Sequence, residues 1–221
     1  MGHESERDVT PMSAPRLDPR STAVVAIDMH RGHIDAEVAT MPIPRERMPG
    51  LIARAAALFD ALRARRVPIV HVVTEYRGPE EIASNPFWKA IADDPSKARK
   101  NALRHNLRGS PGTQVIPALL RAEDIVVRDK KRYNPFHATN LEFVLRSSLG
   151  AQTLILAGIN TSSCVLNCAF ESTNRDFRVV IASDAVDSMD GIEMHEFALR
   201  LMAATCGWPL SNEEILVALG D

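Results

Sequence analysis

The sequence predicts an α/β protein built on a parallel β-sheet with helices on both faces. Short segments rich in Val, Ile and Leu alternate with helical segments from about residue 22 onward. These short segments are apolar throughout, which is typical of strands that are buried on both faces of a parallel sheet. Alternation of such strands with helices indicates a three-layer, doubly wound arrangement, and 221 residues are enough for one such domain.

The strands and helices follow one another in a regular order. The predicted strands lie at residues 22–28, 67–73, 124–127, 153–157 and 178–182. The predicted helices lie at residues 51–65, 139–149, 162–176, 191–206 and 212–219. Apolar residues at spacings of three and four, starting with Leu51 and Ala55, indicate the first helix. The second helix begins at a capping residue, Thr139, and ends before Gly150.

The remaining segments are less regular. Residues 1–20 are polar and charged, and we expect them to form a flexible arm ahead of a single domain at 21–221. Residues 74–122 contain several prolines and glycines and two basic clusters, which indicates an irregular insertion of loops and short helices. Such an insertion is typical of a lid over a site or of a surface between subunits.

Composition narrows the class of protein. Hydrophobic residues make up 45% and charged residues 24% of the chain, close to the average of globular domains. The formal net charge of −2 disfavours a nucleic-acid partner and a polybasic membrane anchor. No apolar stretch suits a membrane span or a secretory signal, and three cysteines are too few for a disulfide framework. We therefore expect a cytoplasmic protein.

Three reactive types of side chain follow strands of the predicted sheet. Asp28 ends the first strand, Lys130 and Lys131 follow the third, and Cys164 opens the helix after the fourth. The carboxyl ends of parallel strands meet at one edge, where such sheets bind their ligands. We therefore expect a carboxylate, an ammonium group and a thiol to lie together at that edge.

Cys164 is the candidate nucleophile. The free N–H groups and the dipole of a helix N-terminus, together with a nearby lysine, lower the pKa of a thiol. The alternative is a small buried core residue, which is our interpretation of Cys168 and Cys206. His30 and His33 form a pair with two residues between them, but they lie in a loop that does not define their geometry, so we assign no metal ligands.

Longer segments around these residues resemble a known family. The similarity lies in Asp28-Met29 and in the segments KKRYNPFHATNLEFVL, LILAGINTSSCVLNCAFES and VVIASDAVDS. On these segments the chain resembles the isochorismatase-like cysteine hydrolases, of the N-carbamoylsarcosine amidase and ureidoacrylate amidohydrolase type. The resemblance runs from about residue 22 to residue 219.

The resemblance implies a sheet with strand order 3-2-1-4-5-6 and a catalytic triad of aspartate, lysine and cysteine. By position these residues are Asp28, Lys130 and Cys164. The family pattern places its lysine four residues before a small polar residue, here Asn134, which selects Lys130 over Lys131.

The resemblance also implies a cis peptide bond and an oxyanion site next to the cysteine. The cis bond is expected between Asn160 and Thr161. The backbone N–H groups of Thr161 and Cys164 are the expected oxyanion donors.

Two departures from the family pattern concern the pocket. His30 and His33 stand where the family commonly has Gln and Phe, which implies a more polar wall. Nicotinamidases carry metal ligands after the second strand, and the stretch Thr74-Glu75-Tyr76-Arg77 lacks them. The resemblance therefore implies neither a metal nor an organic cofactor here.

Substrate contacts are inferred from the residues that flank the triad and from the insertion. The candidates are His30, His33, Trp88, Tyr133, Asn134 and Asn160. Phe87 can extend an aromatic wall, and Arg31 or Arg77 can bind a carboxylate.

The function that the resemblance implies is metal-independent hydrolysis of the C–N bond of a small amide, ureido or carbamoyl compound, through a cysteine thioester. One alternative is a hydrolase of isochorismate-like vinyl ethers that uses Asp28 as an acid. Another is an inactive scaffold or redox-responsive protein. The expected partners are a small-molecule substrate and further copies of the chain, in a homodimer or homotetramer.

Overall fold

The computed structural model describes residues 12–220, and within that range the strands form one parallel six-stranded sheet. Its strands are β1 (Thr22–Ile27), β2 (Ile69–Thr74), β3 (Ile125–Lys130), β4 (Thr153–Ile159), β5 (Arg178–Asp187) and β6 (Trp208–Leu210). They lie in the order β3-β2-β1-β4-β5-β6, which confirms the expected topology. None of the helices in the described range combines the length and the hydropathy of a membrane span.

Helices cover both faces of the sheet. They are α1 (Arg31–Ile34), α2 (Met48–Ala64), α3 (Pro79–Ala83), α4 (Pro86–Asp93), α5 (Leu141–Phe143), α6 (Leu166–Thr173), α7 (Ile192–Thr205) and α8 (Asn212–Leu219). One core packs α2 and α8 against one face, and a second core packs α5, α6 and α7 against the other. The four central strands, β2, β1, β4 and β5, contribute to both cores because successive side chains point to opposite faces. In β1, Val24 and Ala26 enter the first core, whereas Val25 and Ile27 enter the second.

The predicted elements differ from the observed ones mainly at their ends. The sixth strand, β6, was not predicted because it has only three residues and contains Pro209. The helix expected at 139–149 begins as α5 and continues as a π-helical turn at Val144–Ser148. The strand expected at 178–182 extends to Asp187, with a register irregularity against β4.

Part of the expected flexible arm is packed against the domain. Residues 1–11 lie outside the described range, but Leu17 is buried in the first core. Its backbone N–H donates a 2.9 Å hydrogen bond to the carbonyl of Ala218. The segment just before β1 is therefore anchored, because it offers an apolar side chain to the space beside α8.

The segment at 74–122 folds over the carboxyl edge of the sheet. It contains α3, α4 and short 3₁₀ turns, with a small apolar cluster of its own around Tyr76, Ile82 and Ala102. Trp88 and Leu107 pack against that cluster at partial exposure. This arrangement places the insertion directly above the strand ends that carry Asp28 and Lys130.

Gly158 allows β4 to approach β1 closely next to the site. Its φ is +125°, and a Cβ at this position would lie 2.0 Å from the carbonyl oxygen of Ile27. We predict that Gly158→Ala lowers the free energy of unfolding by about 3–5 kcal/mol, since backbone strain and overpacking add. Gly109→Ala is the matched control, because Gly109 has a φ of +82° but open space around it. We expect Gly109→Ala to lower the free energy of unfolding, measured in urea, by about 1–2 kcal/mol. Equal decreases for Gly158→Ala and Gly109→Ala would contradict the steric explanation.

Candidate active site

Asp28 lies directly after β1 and is held by the neighbouring strand. Its backbone φ is +53°, and its side chain is buried. Oδ1 accepts hydrogen bonds from the backbone N–H of Thr74 (3.0 Å) and from the Thr74 hydroxyl (2.7 Å). Oδ2 accepts from Nζ of Lys130 at 2.6 Å. The carboxylate is therefore fixed in place, with both oxygens engaged.

Lys130 connects the carboxylate to the thiol. It ends β3, and its Nζ lies 2.6 Å from Oδ2 of Asp28, 2.8 Å from Oγ1 of Thr74 and 3.3 Å from Sγ of Cys164. These three partners match the three hydrogens of an ammonium group. Asp28, Lys130 and Cys164, the triad that the resemblance implies, thus lie together.

Lys131 points away from this group. Its Nζ contacts carboxylates of Asp129 (3.2 Å) and Glu81 (3.3 Å) and the backbone carbonyl of Glu75. These contacts hold the Lys131 ammonium away from the thiol, which Lys130 reaches at 3.3 Å. The geometry supports the choice of Lys130.

Cys164 lies in a π-helical turn, Thr161–Val165, between β4 and α6. Backbone N–H groups of Ser163 and Val165 both donate to the carbonyl of Asn160 at 3.0 Å, which closes the turn. The Cys164 side chain is buried and lines a pocket.

The charges of the three groups are set by burial and by one another. Burial opposes ionisation of Asp28, but the adjacent Lys130 ammonium and a hydrogen bond from His30 together outweigh it and hold the pKa of the carboxyl well below its usual range. Burial likewise opposes the charge on Lys130, but the charge and hydrogen bond of Asp28, together with the charges of Cys164 and Tyr76, outweigh it, so the pKa of Lys130 is raised. The resting site therefore contains a carboxylate–ammonium pair.

The pKa of the Cys164 thiol is raised, whereas the sequence predicted that it would be lowered. Burial raises the pKa of Cys164 to about 11, and the charge of Asp28 adds to this effect, while Lys130 opposes it without compensating fully. The reason is that Lys130 is already paired with a carboxylate. The resting thiol is therefore protonated at neutral pH and has to lose its proton as it reacts.

Breaking the buried ion pair should destabilise the protein. We predict that Lys130→Met lowers the free energy of unfolding in urea by about 3–5 kcal/mol at pH 7, because the Asp28 carboxylate loses its counter-charge. Lys131→Met is the matched control, since the ion pairs of Lys131 lie at a more exposed position. Its expected cost is about 1 kcal/mol or less. A larger decrease in the free energy of unfolding for Lys131→Met than for Lys130→Met would contradict the assignment of Lys130 to the buried ion pair.

The cis peptide bond lies one residue earlier than expected. It joins Ile159 and Asn160, not Asn160 and Thr161. The strand ends at Ile159, so the chain changes direction at Asn160, whose Oδ1 accepts from the backbone N–H of Met189 at 2.9 Å. Thr161 is fully buried, and its hydroxyl lies 2.9 Å from Nδ1 of His195.

A pocket opens above the Asp28–Lys130–Cys164 group, beneath the insertion. Its polar and aromatic lining residues are Asp28, His33, Thr74, Tyr76, Trp88, Arg99, His105, Lys130, Arg132, Tyr133, Asn160 and Cys164. Its apolar lining residues are Met41, Ile82, Ile91 and Ala102. The insertion thus supplies much of the wall, as a lid would.

Four of the six candidate substrate contacts line this pocket, namely His33, Trp88, Tyr133 and Asn160. The other two candidates, Asn134 and His30, do not line the pocket. Asn134 accepts a hydrogen bond from the backbone N–H of Phe136 at 2.8 Å, and so stabilises a turn.

His30 is fully buried behind the wall, 3.5 Å from Oδ1 of Asp28. Phe87 is 67% exposed and does not extend the aromatic wall that Trp88 and Tyr133 form.

The arginines at the pocket are not those suggested by the sequence. Arg31 pairs with Asp35, and Arg77 pairs with Glu81. Instead, Arg99 and Arg132 line the pocket. Both lie in or beside basic clusters, but the sequence contains no signal that separates these arginines from solvent-exposed ones.

A third histidine joins the predicted pair. His105, from the insertion, lies with its ring centroid 4.6 Å from that of His33 and 5.6 Å from that of His30. All three rings are buried, and burial lowers the pKa of His33 to about 3. His105 was missed because 72 residues of sequence separate it from His33.

Comparison with known proteins identifies the family of this chain. The Isochorismatase domain model matches residues 22–214. Ureidoacrylate amidohydrolase from Methylobacterium radiotolerans is 26% identical over 92% of this chain and 81% of its own length. Maleamate amidohydrolase from Pseudomonas putida is 26% identical over 76% of this chain and 72% of its own length.

Solved structures share the fold. A cysteine hydrolase from Pseudomonas syringae pv. phaseolicola superposes with a TM-score of 0.75 at 22% identity, over 94% of this chain and 98% of its own. N-carbamoylsarcosine amidase from Thermoplasma acidophilum has a TM-score of 0.66 at 22% identity, over 87% and 97% of the two chains. With the domain match over nearly the whole described range, the chain belongs to the isochorismatase family of hydrolases.

Proposed function

We propose that this protein hydrolyses the C–N bond of a small amide, ureido or carbamoyl compound through a thioester on Cys164. The observation that carries the proposal is the position of the Lys130 ammonium, 2.6 Å from the carboxylate of Asp28 and 3.3 Å from the sulfur of Cys164. A nucleophile, a base and a cation that connects them are the groups that acyl transfer requires. Relatives named as amidohydrolases support the choice of a C–N bond.

The first half of the reaction forms the thioester. The sulfur of Cys164 attacks the carbonyl carbon while its proton passes to Asp28, and Lys130 stabilises the negative charge on sulfur as the proton leaves. This coupling is needed because the pKa of the resting thiol is about 11. The tetrahedral intermediate then breaks its C–N bond, and Asp28 returns the proton to the leaving nitrogen.

The second half restores the enzyme. Water attacks the thioester carbon and gives its proton to Asp28, and the C–S bond breaks. Asp28 then protonates the Cys164 sulfur. We assign the oxyanion of both tetrahedral intermediates to the backbone N–H groups of Thr161 and Cys164, at the start of the turn that carries the nucleophile. None of these covalent steps requires a metal or an organic cofactor.

The pocket favours a small substrate that carries a carboxylate. Met41, Ile82 and Ile91 provide apolar walls, while the guanidinium group of Arg132 provides positive charge. Its hydrogen bonds go to the carbonyls of Glu81 and Lys131 and to the hydroxyl of Ser84, whereas the Arg99 guanidinium is paired with the Asp190 carboxylate. Arginine binds planar carboxylates with two parallel hydrogen bonds. Ureidoacrylate and maleamate, for which two relatives are named, are both carboxylates with a hydrolysable C–N bond.

A substrate panel tests the proposal. Purified protein is incubated with N-carbamoyl amino acids, ureido acids and amide acids, each beside its uncharged amide or ester counterpart, and ammonia release is measured. We expect turnover with at least one C–N substrate and a preference for the carboxylate member of that pair. Turnover of an isochorismate-like vinyl ether with no hydrolysis of any C–N bond would overturn the proposal.

A further inference from the structure

We propose that His30, His33 and His105 form a binding site for one divalent transition-metal ion of the Zn²⁺ class, in the wall of the pocket. One ring nitrogen from each histidine can be chosen so that all three lie within 4.8 Å of one another. The ring centroids are 4.9, 5.6 and 4.6 Å apart. Imidazoles that bind one ion at Zn–N distances of about 2.0–2.1 Å place their rings at similar separations.

Two of the rings are oriented by contacts outside the cluster. Nδ1 of His33 lies 2.6 Å from the carbonyl oxygen of Met41, which can only accept, so this nitrogen carries the proton. Nδ1 of His105 lies 2.8 Å from the hydroxyl of Thr40. Metal-binding histidines are typically held in this way, through the nitrogen that does not bind the ion.

The other nitrogens of these two rings are available to a ligand. Within residues 12–220, no hydrogen bond reaches Nε2 of His33 or Nε2 of His105. Both side chains are more than nine-tenths buried, and both line the pocket. Because both side chains line the pocket, a ligand in the pocket can reach these nitrogens.

His30 is the third histidine of the cluster, and it lies behind the pocket wall. The amide nitrogen of Asn106 lies 2.9 Å from its Nε2 and 3.2 Å from its Nδ1. Binding of an ion to His30 therefore displaces one of these contacts. The amide nitrogen of Asn106 retains its 2.8 Å hydrogen bond to the carbonyl of Thr74, so it keeps one acceptor.

Three histidines leave at least one coordination position open, which is typical of catalytic rather than structural zinc sites. His33 and His105 face the same pocket as Cys164, so the open position faces the substrate. We assign to the ion the binding of a substrate oxygen, which goes beyond the covalent chemistry proposed above. The site is defined by its histidines and does not depend on the thioester mechanism.

Cobalt binding tests this site directly. Tag-free protein is stripped with a chelator and titrated with Co²⁺, and the visible d–d absorption and the bound metal are measured. We expect one equivalent of Co²⁺ in the wild type and in the control His137→Ala, since the side chain of His137 is exposed. His33→Ala and His105→Ala should each lose the absorption. Cys164→Ala should keep it, which separates this proposal from the proposed function.

A variant outside the coordination sphere distinguishes loss of the metal site from loss of folding. Thr40→Val removes the hydroxyl that contacts His105, and it should weaken Co²⁺ binding about 10- to 100-fold while the far-UV circular dichroism stays unchanged. Zn²⁺ should also raise the Tm of the wild type but not that of His105→Ala. Absence of saturable binding in the wild type, or unchanged binding in both His33→Ala and His105→Ala, would overturn the site.

Discussion

Cys164→Ala is expected to lower hydrolysis by at least about 10⁴-fold, measured as ammonia release with the best substrate of the panel. The variant keeps the pocket and the Asp28–Lys130 pair but has no atom that can form the thioester. What remains is the binding of substrate and oxyanion, which supports only a residual rate in enzymes that lose their nucleophile. KM should change little, because the thiol contributes little to binding of the ground state.

Cys168→Ala is the matched control for that loss. Cys168 lies in α6, four residues after Cys164, is buried, and does not line the pocket. Burial raises its pKa to about 12, so it has no role as a thiolate at neutral pH. Its variant should retain activity within a few-fold. Full turnover in Cys164→Ala would contradict the thioester route and would favour acid chemistry at Asp28 alone.

Asp28→Asn is expected to change two rates in opposite directions. Hydrolysis should fall about 10²- to 10⁴-fold, because no group remains to take the thiol proton and return it to the leaving nitrogen. Alkylation of Cys164 by iodoacetamide at pH 7 should become faster. The reason is that the carboxylate raises the pKa of the thiol, whereas Lys130, freed from its ion pair, can stabilise the thiolate.

The pH dependence of alkylation tests whether Asp28 raises and Lys130 lowers the pKa of the Cys164 thiol. In the wild type the rate should rise toward the thiol pKa of about 11, so labelling of Cys164 at pH 6 to 8 should be slow. The midpoint should move to lower pH in Asp28→Asn and to higher pH in Lys130→Met. Peptide mass mapping assigns the label to Cys164, Cys168 or Cys206. An upward shift in Asp28→Asn would contradict the proposed roles of the two charges.

The general form of the site could be predicted because it follows from topology. The apolar runs that become β1, β3 and β4 are recognisable in the sequence, and parallel strands bring their carboxyl ends to one edge. Asp28, Lys130 and Cys164 each lie within a few residues of such an end. The order of the strands, by contrast, came from the resemblance to a family, since the pattern of apolar runs does not specify which strands are neighbours.

Other features depend on contacts that are distant in sequence. The pKa of Cys164 rises because Asp28 and burial outweigh Lys130, and that balance depends on distances of a few ångströms. Arg99 and His105 reach the pocket only because the insertion folds back over the sheet. Neither carries a local sequence signal, so their positions required the structure.

Detection of the acyl-enzyme tests directly whether hydrolysis passes through a thioester on Cys164. Wild-type protein is mixed with the best substrate of the panel, quenched with acid after different times, and analysed by intact and peptide mass spectrometry. We expect a transient adduct on the peptide that contains Cys164, with the mass of the acyl fragment, which hydroxylamine removes. Rapid turnover with no adduct on Cys164 at any time, and with no hydroxamate when hydroxylamine is present, would contradict the thioester route.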